Sequence, residues 1–409
     1  MTPSPETSPE ASSAQQPAAH WGAVYALSLC AFVMVASEFL PVSLLTPMAS
    51  DLNVSEGAVG QGIAISGLFA LLTALSISSL AGTLNRKVLL IGLTGVMTVS
   101  ALMVGFAESY TVYLAGRVLV GVALGGFWSL SAAAAVRLVP GPQVPKALAI
   151  FNAGNALAMV LAAPLGSYLG SVIGWRGAFL CVAPIAALAL LWQLFSLPSM
   201  VAREQKRRLV AIFKPLARRQ IQLGFSATAL LFAGQFALFT YIRPYLEQTA
   251  GVDAYTLSSI LLLLGVAGFI GTTLINRFLQ WNLHMTLCAM PALLALIGLL
   301  LIEFAGALTP ATILLGCWGF IATAAPVGWW AWLAQSMADD PEAGGGLMVA
   351  FVQLAIGLGS TVGGLMFDQY GYQTAFATSA GLLIAGALLV LALYRHEATR
   401  PYSASPATD

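Results

Sequence analysis

The sequence predicts an all-α integral membrane protein, with twelve transmembrane helices in two six-helix halves. Of the 409 residues, 59% are hydrophobic and 8% are charged, whereas soluble domains carry about 25% charged residues. A soluble core of this length cannot hold so much apolar surface, but a lipid bilayer can surround it. The apolar residues also fall into runs of about 20, the length that crosses roughly 30 Å of hydrocarbon.

The first element is a tail, residues 1–20, which is rich in Pro, Ser, Ala and Glu and is predicted to be disordered. It has no apolar stretch and no basic segment before one, so it does not resemble a signal peptide. The spans then follow in two sets, an N-terminal half at 21–197 and a C-terminal half at 221–395, separated by a basic linker at 198–220 and followed by a tail at 396–409. The predicted spans are 22–46, 57–81, 88–107, 111–135, 147–170, 177–197, 221–246, 255–275, 285–305, 311–334, 346–367 and 373–394.

The distribution of Lys and Arg predicts that both termini are cytoplasmic. With the N-terminus placed inside, all but three of the 17 Lys and Arg residues fall on the cytoplasmic side. The exceptions are Arg117 within a span, and Arg176 and Arg243 near the outer side. A further pattern supports two related halves, because the stretches 82–86 and 271–277 share a Gly-Thr…Asn-Arg pattern at equivalent positions.

Two ionisable side chains lie well inside predicted spans, Glu38 in the first and Arg117 in the fourth. At 1.5 Å per residue, both lie roughly 9–12 Å below the outer boundary. An unpaired charge at that depth costs several kcal/mol, which favours pairing or protonation. We expect Glu38 to exchange a proton when its partner Arg117 moves away or a solute approaches; the alternative is a static ion pair that holds the helices together. Glu303 and Asp368 lie at span ends and are interpreted as solvated.

Neutral polar and aromatic residues at mid-membrane depth are candidate substrate contacts. Amides can hydrogen-bond the edge of a ring, and aromatic side chains can stack on its face, which suits a flat, uncharged, polar solute such as a nucleoside. The alternative is hydrogen bonding between helices or an aromatic belt at the membrane interface. The candidates are Asn155, Gln235, Gln353, Trp128, Trp329 and Tyr241.

Several function classes have no support in the sequence. It contains no Walker A motif, no dinucleotide fingerprint and no hydrolase or metalloprotease motif, so neither ATP-driven transport nor an enzyme is indicated. The four cysteines lie singly within apolar runs, and the three histidines do not cluster. We therefore expect no cofactor, no metal and no nucleic-acid partner, and we expect a monomer.

Three short motifs resemble those of the major facilitator superfamily, in its twelve-span drug:proton antiporter branch. The stretch Gly82-x-x-Asn85-Arg86-Lys87 resembles the first-loop motif, in which Asp usually stands at the position of Asn85. Arg117-x-x-x-Gly121 resembles the fourth-helix motif, whose arginine is linked to proton coupling. The segment with Pro164 and Gly166, Ala-Pro-Leu-Gly-Ser, partly matches the antiporter motif of the fifth helix.

Within this family, five further strings of the sequence are similar to those of bacterial purine ribonucleoside efflux pumps. They are Glu38-Phe-Leu-Pro-Val-Ser-Leu-Leu-Thr-Pro-Met-Ala49, Leu124-Gly-Gly-Phe-Trp128, Gly234-Gln-Phe236, Phe239-Thr-Tyr-Ile-Arg-Pro244 and Pro326-Val-Gly-Trp329. The resemblance implies proton-driven export of purine ribonucleosides such as inosine, guanosine and adenosine across a bacterial inner membrane. The shorter strings are shared with exporters of sugars and chloramphenicol, so that substrate class remains an alternative. A membrane sensor that transports nothing is the more remote one.

Overall fold

The computed structural model describes residues 19–82, 84–200, 214–337 and 341–398. The predicted tail up to residue 18, most of the basic linker and the end of the C-terminal tail lie outside these ranges. The described residues form α-helices joined by short loops, with 3₁₀ turns at Gly141–Gln143 and Lys214–Ala217. The helices are α1 Trp21–Leu52, α2 Glu56–Ala81, α3 Arg86–Gly105, α4 Tyr110–Arg137, α5 Val144–Ser196, α6 Arg219–Phe239, α7 Ile242–Ala250, α8 Ala254–Trp281, α9 Leu283–Glu303, α10 Leu308–Ala322, α11 Ala325–Ser336, α12 Pro341–Tyr370 and α13 Tyr372–Ala398.

Eleven helical segments of the described ranges are long and apolar enough to cross a membrane. Two of these segments join consecutive helices, α6 with α7 and α10 with α11. Large apolar side chains, including Leu188, Leu293 and Ile313, lie exposed on the outside of the bundle, as lipid-facing residues do. The all-α membrane prediction is confirmed in this form, while the twelve-span count stays a prediction.

The difference between the eleven helical segments and the twelve predicted spans arises at α5, which has 53 residues. A straight helix of that length would extend roughly 80 Å, well beyond the ~30 Å hydrocarbon core. Gly174 interrupts it with a φ of 75° and a ψ of 163°, a conformation that glycine adopts readily. The helix therefore changes direction between the predicted fifth and sixth spans.

The helices pack as two groups, which we call the N-terminal group (residues 21–196) and the C-terminal group (219–398). In the N-terminal group α1 packs along α5, α2 packs on α4, and α3 packs on both α4 and α5. In the C-terminal group α6 packs on α12 and α13, α9 on α10 and α13, and α8 on α10. The most extensive contacts between the groups are those of α2 with α12, α5 with α8, and α1 with α7.

Glycine allows several of these helices to approach each other closely, and Gly125 of α4 is a clear case. A Cβ at this position would overlap the backbone of Ala70 on α2. Helix–helix interfaces in membranes depend on small residues for this reason. The α2–α4 contact also places Arg117 of α4 against α2.

We expect Gly125→Ala to lower the thermal stability of the purified protein by about 1–3 kcal/mol, the usual cost of forcing an extra carbon into a packed interface. Gly92→Ala on α3 is the matched control, because nothing lies within 4 Å of a Cβ added there. The measurement is the temperature at which half of the protein has lost its monodisperse gel-filtration peak. Equal midpoints for the two variants would contradict the role assigned to Gly125.

Candidate functional site

The centre of the N-terminal group contains one fully buried arginine, Arg117 of α4. Its guanidinium donates four hydrogen bonds: Nε to the carbonyl of Gly62 at 3.1 Å, Nη1 to the carbonyl of Ser37 at 2.8 Å, and Nη2 to the carbonyl of Glu38 at 3.3 Å and to Ser66 Oγ at 2.8 Å. These acceptors lie on α1 and α2, so a single side chain connects three helices. The planar fork of arginine suits this arrangement because its N–H groups point in several fixed directions.

A proline explains why the Ser37 carbonyl can accept from Arg117. In a helix, the carbonyl of Ser37 would accept from the N–H of residue 41, but that residue is Pro41, which has no N–H. The carbonyl therefore lacks its usual partner, and Arg117 supplies the hydrogen bond instead. A buried carbonyl without a partner would be costly, so Pro41 and Arg117 form one local unit.

The carboxyl group of Glu38 is directed to the other group of helices. Glu38 is only 9% exposed, and its Oε1 accepts a hydrogen bond from Nε2 of Gln353 on α12 at 3.3 Å. Among the described residues, no ion pair within 4.0 Å joins the Glu38 carboxylate to Arg117. The two residues do meet, but Arg117 contacts the backbone of Glu38 while the carboxyl contacts Gln353.

A cluster of aromatic side chains surrounds Phe39, the residue that follows Glu38 on α1. Phe39 of α1 stacks on Phe236 of α6 with a centroid separation of 5.9 Å, and Phe239 packs against both rings. Gln235, next to Phe236, is 9% exposed, and its Oε1 is buried without a hydrogen-bond partner. The phenylalanine cluster was not predicted from sequence, since only the tertiary contact of α1 with α6 reveals it.

Trp128 and Asn155 lie on the α4 and α5 side of the same region. Trp128 packs edge-on against Phe151, with centroids 5.8 Å apart. It also belongs, with Phe39, to the residues that pack around a small buried cluster between α1 and α5. Asn155 lies one turn beyond Phe151 on α5 and is half-buried. Trp128 therefore packs against the same cluster as Phe39, the neighbour of Glu38, and Asn155 lies on the helix that carries Phe151.

The structure places Tyr241 and Trp329 in tightly packed positions instead. Tyr241 is fully buried, and its hydroxyl donates to the carbonyl of Ser360 at 2.8 Å. Its ring stacks on Phe367 at 5.2 Å. Trp329 is 1% exposed and packs edge-on against Trp332 of the same helix. Neither residue joins the group around Glu38.

Asn85 of the first-loop motif holds the start of α3. Its Oδ1 accepts from the backbone N–H of Lys87 at 3.0 Å and of Met200 at 2.9 Å, and its Nδ2 donates to Ser199 Oγ at 2.6 Å. The N–H of Arg86 donates to the carbonyl of Met200 at 2.9 Å. The motif thus anchors the chain at the end of the N-terminal group, just before the linker.

We expect Asn85→Ala to destabilise the protein by about 1 kcal/mol, the typical cost of losing a helix cap. Asn85→Asp is the matched control, because a carboxylate can still accept from both N–H groups and is favoured at a helix N-terminus. Thermal unfolding of the two purified variants tests this. An Asn85→Asp midpoint as low as that of Asn85→Ala would contradict the capping role.

The remaining motif residues shape the backbone. Gly82 ends α2 with a φ of 45°, which glycine tolerates better than other residues. Pro164 of α5 lacks the N–H that the Val160 carbonyl would accept, and that carbonyl instead faces Gly265 of α8, 2.7 Å from where a Cβ would lie. Gly166 allows α1 to approach α5, because a Cβ there would overlap Ser43 Oγ.

At the end of the bundle where α1 meets α2, the two groups are held together by polar contacts. Asp368 of α12 accepts from Ser55 Oγ at 2.5 Å and from the N–H of Gly57 at 3.0 Å, at the N-terminus of α2. Deeper in the bundle, Ser360 Oγ donates to the carbonyl of Gly60 at 3.1 Å. Asp368 is exposed as the sequence predicts, but it also connects the groups, which its position at a span end alone did not indicate.

A bundle of apolar helices, with an arginine-centred polar network and a carboxyl shared between two helix groups, defines the class of multi-pass membrane transporters. The chain belongs to the Major Facilitator Superfamily, whose family model matches residues 27–345. The family and its members named as efflux pumps are transporters, not enzymes.

Two relatives and one solved structure illustrate the similarity. The chain is 55% identical over 381 residues, 92% of its length and 95% of the relative's, to a protein of Pseudomonas aeruginosa named transcription regulatory protein OpdE. It is 41% identical over 376 residues, covering 92% and 94% of the two chains, to the purine ribonucleoside efflux pump NepI of Salmonella paratyphi B. Among solved structures, a mutant form of the nucleoside transporter NupG superposes with a TM-score of 0.71 at 14% identity, covering 91% of this chain and 99% of the other; at this identity the likeness concerns the fold alone.

Proposed function

We propose that this protein is a proton-coupled antiporter that exports purine ribonucleosides such as inosine, guanosine and adenosine. The observation that carries the proposal is the buried carboxyl of Glu38, which is hydrogen-bonded to Gln353 of the opposite helix group. Ionisable groups buried in membrane proteins commonly mark proton and substrate pathways. The relatives named as purine ribonucleoside efflux pumps support the choice of substrate.

The proposed transport cycle alternates access between the two sides of the membrane by rocking one helix group against the other. We assign twelve spans, counting α5 as two because of the break at Gly174, and six spans to each half. We place both termini in the cytoplasm, because the basic linker and most other Lys and Arg residues then lie inside. We assign the protein to the inner membrane of a bacterium and propose that a monomer is sufficient for transport.

In this mechanism Glu38 carries the proton and Arg117 positions it. Arg117 donates to the carbonyls of Ser37 and Glu38, which belong to the peptide groups before and after the Glu38 Cα. These hydrogen bonds fix the position of the backbone from which the carboxyl side chain extends. Gln353 offers an amide that can donate to a carboxylate and accept from a carboxylic acid. The contact between the helix groups can therefore persist in both protonation states, but with a different donor in each.

The nucleoside is proposed to bind beside this carboxyl. The unpartnered Oε1 of Gln235 is an acceptor for a purine N–H group, and Gln353 and Asn155 offer further amides. Trp128, and the Phe39 and Phe236 rings, present aromatic surface on which a purine can stack. A neutral nucleoside needs no cationic partner, which agrees with Arg117 being occupied by backbone carbonyls.

Uptake of labelled inosine into everted membrane vesicles with an imposed proton gradient tests this function. In everted vesicles an exporter loads the interior, so we expect accumulation that an uncoupler abolishes. Competition by sugars or chloramphenicol, but not by guanosine or adenosine, would assign the transporter to the alternative substrate class. Absence of accumulation by inserted protein would contradict nucleoside export.

A second candidate function follows from the name of the relative at 55% identity, which describes a transcription regulatory protein. In that case the chain would be a membrane sensor that binds a solute without moving it. Reconstituted protein would then bind nucleoside but show no flux in either direction. Measured flux would exclude a purely regulatory role.

A further inference from the structure

A second arginine, Arg243 at the start of α7, reaches from the C-terminal group into the N-terminal group. It is 9% exposed, and its Nη1 donates to the carbonyl of Ser43 on α1. Its Nε donates to Glu247 Oε1 one turn further along α7 at 2.8 Å. The guanidinium therefore stays paired within its own helix while it binds the backbone of the opposite group.

The Ser43 carbonyl is available for the same reason as the Ser37 carbonyl. Four residues after Ser43 stands Pro47, which has no N–H to donate. The helix α1 thus contains two carbonyls freed by prolines, and each accepts from a buried arginine. Arg117, of the same group, occupies the first, and Arg243, of the opposite group, occupies the second.

The two contacts differ in what they connect. The Ser43 carbonyl lies five residues beyond Glu38, or roughly 7.5 Å along α1 towards the α2 end. At that same end Asp368 joins α12 to α2, and the hydroxyl of Ser167 on α5 donates to the carbonyl of Ala254 on α8 at 3.4 Å. Arg243 therefore crosses between the helix groups at the level between Glu38 and this closed end.

We propose that Arg243 is a positioning residue that latches this end of the transport path through the Ser43 carbonyl, and that Pro47 creates the acceptor. The inference rests on the proposed function, because alternating access requires this end to open. When it opens, the bond between Arg243 and Ser43 must break, while the bond between Arg243 and Glu247 travels with α7. The free energy needed to break the bond between Arg243 and Ser43 then sets how often Glu38 is accessible from this side of the membrane.

Pro47→Ala is the most direct test, because it leaves Arg243 and Glu247 unchanged. It supplies an N–H that can bond the Ser43 carbonyl within the helix and compete with Arg243. A hydrogen bond to a charged group stabilises by about 1.5–3 kcal/mol, so its loss shifts a two-state population about tenfold or more. The matched control is Pro291→Ala, which removes an in-helix proline from α9, a helix that packs on α10 and α13 of its own group.

The populations are measured as distances between paired spin labels in a chain whose four native cysteines are replaced by alanine. One pair, at Glu108 and Gln248, spans the two groups at the latched end, and the other, at Leu84 and Gln280, spans them at the opposite end; all four residues are exposed. We expect Pro47→Ala to lengthen the first distance and shorten the second. If Pro47→Ala only made α1 more mobile, the distribution of the first distance would broaden while that of the second stayed unchanged. This result would count against the latch.

Arg243→Gln provides a second variant in case Pro47→Ala folds poorly, and it is expected to shift both distances in the same directions. Unchanged distances in both variants, or equal shifts in Pro291→Ala, would overturn the latch. The distances are recorded without nucleoside or proton gradient. An experiment that contradicts the latch is therefore distinguishable from one that contradicts nucleoside export.

Discussion

Glu38→Gln is expected to abolish proton-driven transport while leaving the protein folded and inserted. The carboxamide has nearly the same shape as the carboxyl group, and its oxygen can still accept from Nε2 of Gln353 as Glu38 Oε1 does now. It cannot exchange a proton at the pH values of the experiment. The measurement is uncoupler-sensitive accumulation of labelled inosine in everted vesicles, compared with exchange of inosine across vesicles without a gradient.

The comparison of these two assays separates a loss of proton coupling from a loss of inosine transport as a whole. A variant that has lost only proton coupling should lose accumulation against a gradient but retain exchange of inosine across vesicles without a gradient. Glu303→Gln is the matched control, since it neutralises an exposed acid at the end of α9 and should leave accumulation at the wild-type level. Accumulation by Glu38→Gln at the wild-type rate would remove Glu38 from the coupling mechanism.

Arg117→Lys should reduce transport at least about tenfold, even though it conserves the charge. The guanidinium reaches α1 and α2 at once through four hydrogen bonds, and an ammonium group has neither the reach nor the planar fork to do so. Losing even one hydrogen bond from a buried charge costs about 1.5–3 kcal/mol. We therefore also expect a lower thermal unfolding midpoint for this variant.

This second prediction separates two roles for Arg117. If its charge alone mattered, as a counter-ion to the Glu38 carboxylate, lysine would serve and transport would persist. If it positions Glu38 through the backbone, lysine fails and the added destabilisation is measurable. Arg277→Lys, on an exposed face of α8, is the control for replacing an arginine by a lysine; wild-type transport by Arg117→Lys would contradict the positioning role.

The agreement of sequence and structure at Arg117 was only partial, for a reason that applies to other residues. Depth along a helix can be counted from the sequence, so the approach of Arg117 to Glu38 was predictable. The direction of a side chain depends on how helices rotate against each other. For that reason the carboxyl of Glu38 faces Gln353, 315 positions away in the chain, while Arg117 binds carbonyls.

Prolines show a signal that the sequence contained and that only the structure explains. Pro41 and Pro47 are visible as helix-interior prolines, and each must leave a carbonyl without its usual partner. Which donor bonds that carbonyl depends on tertiary packing: Arg117 from α4 in one case and Arg243 from α7 in the other. Pro164 shows a third outcome, in which the freed carbonyl faces a glycine of the opposite helix group.

The sequence by itself determined the membrane class and singled out Glu38 and Arg117 as charges within apolar runs, because both follow from local hydropathy and from the cost of placing charge in hydrocarbon. Only the tertiary structure decided which candidates meet. It gathered Glu38, Gln353 and Arg117 in one network, buried Tyr241 and Trp329 elsewhere, and used Asp368 and Arg243 to join the two helix groups. These outcomes depend on the rotation and pairing of helices far apart in the chain, which the packing of many small and aromatic side chains settles collectively.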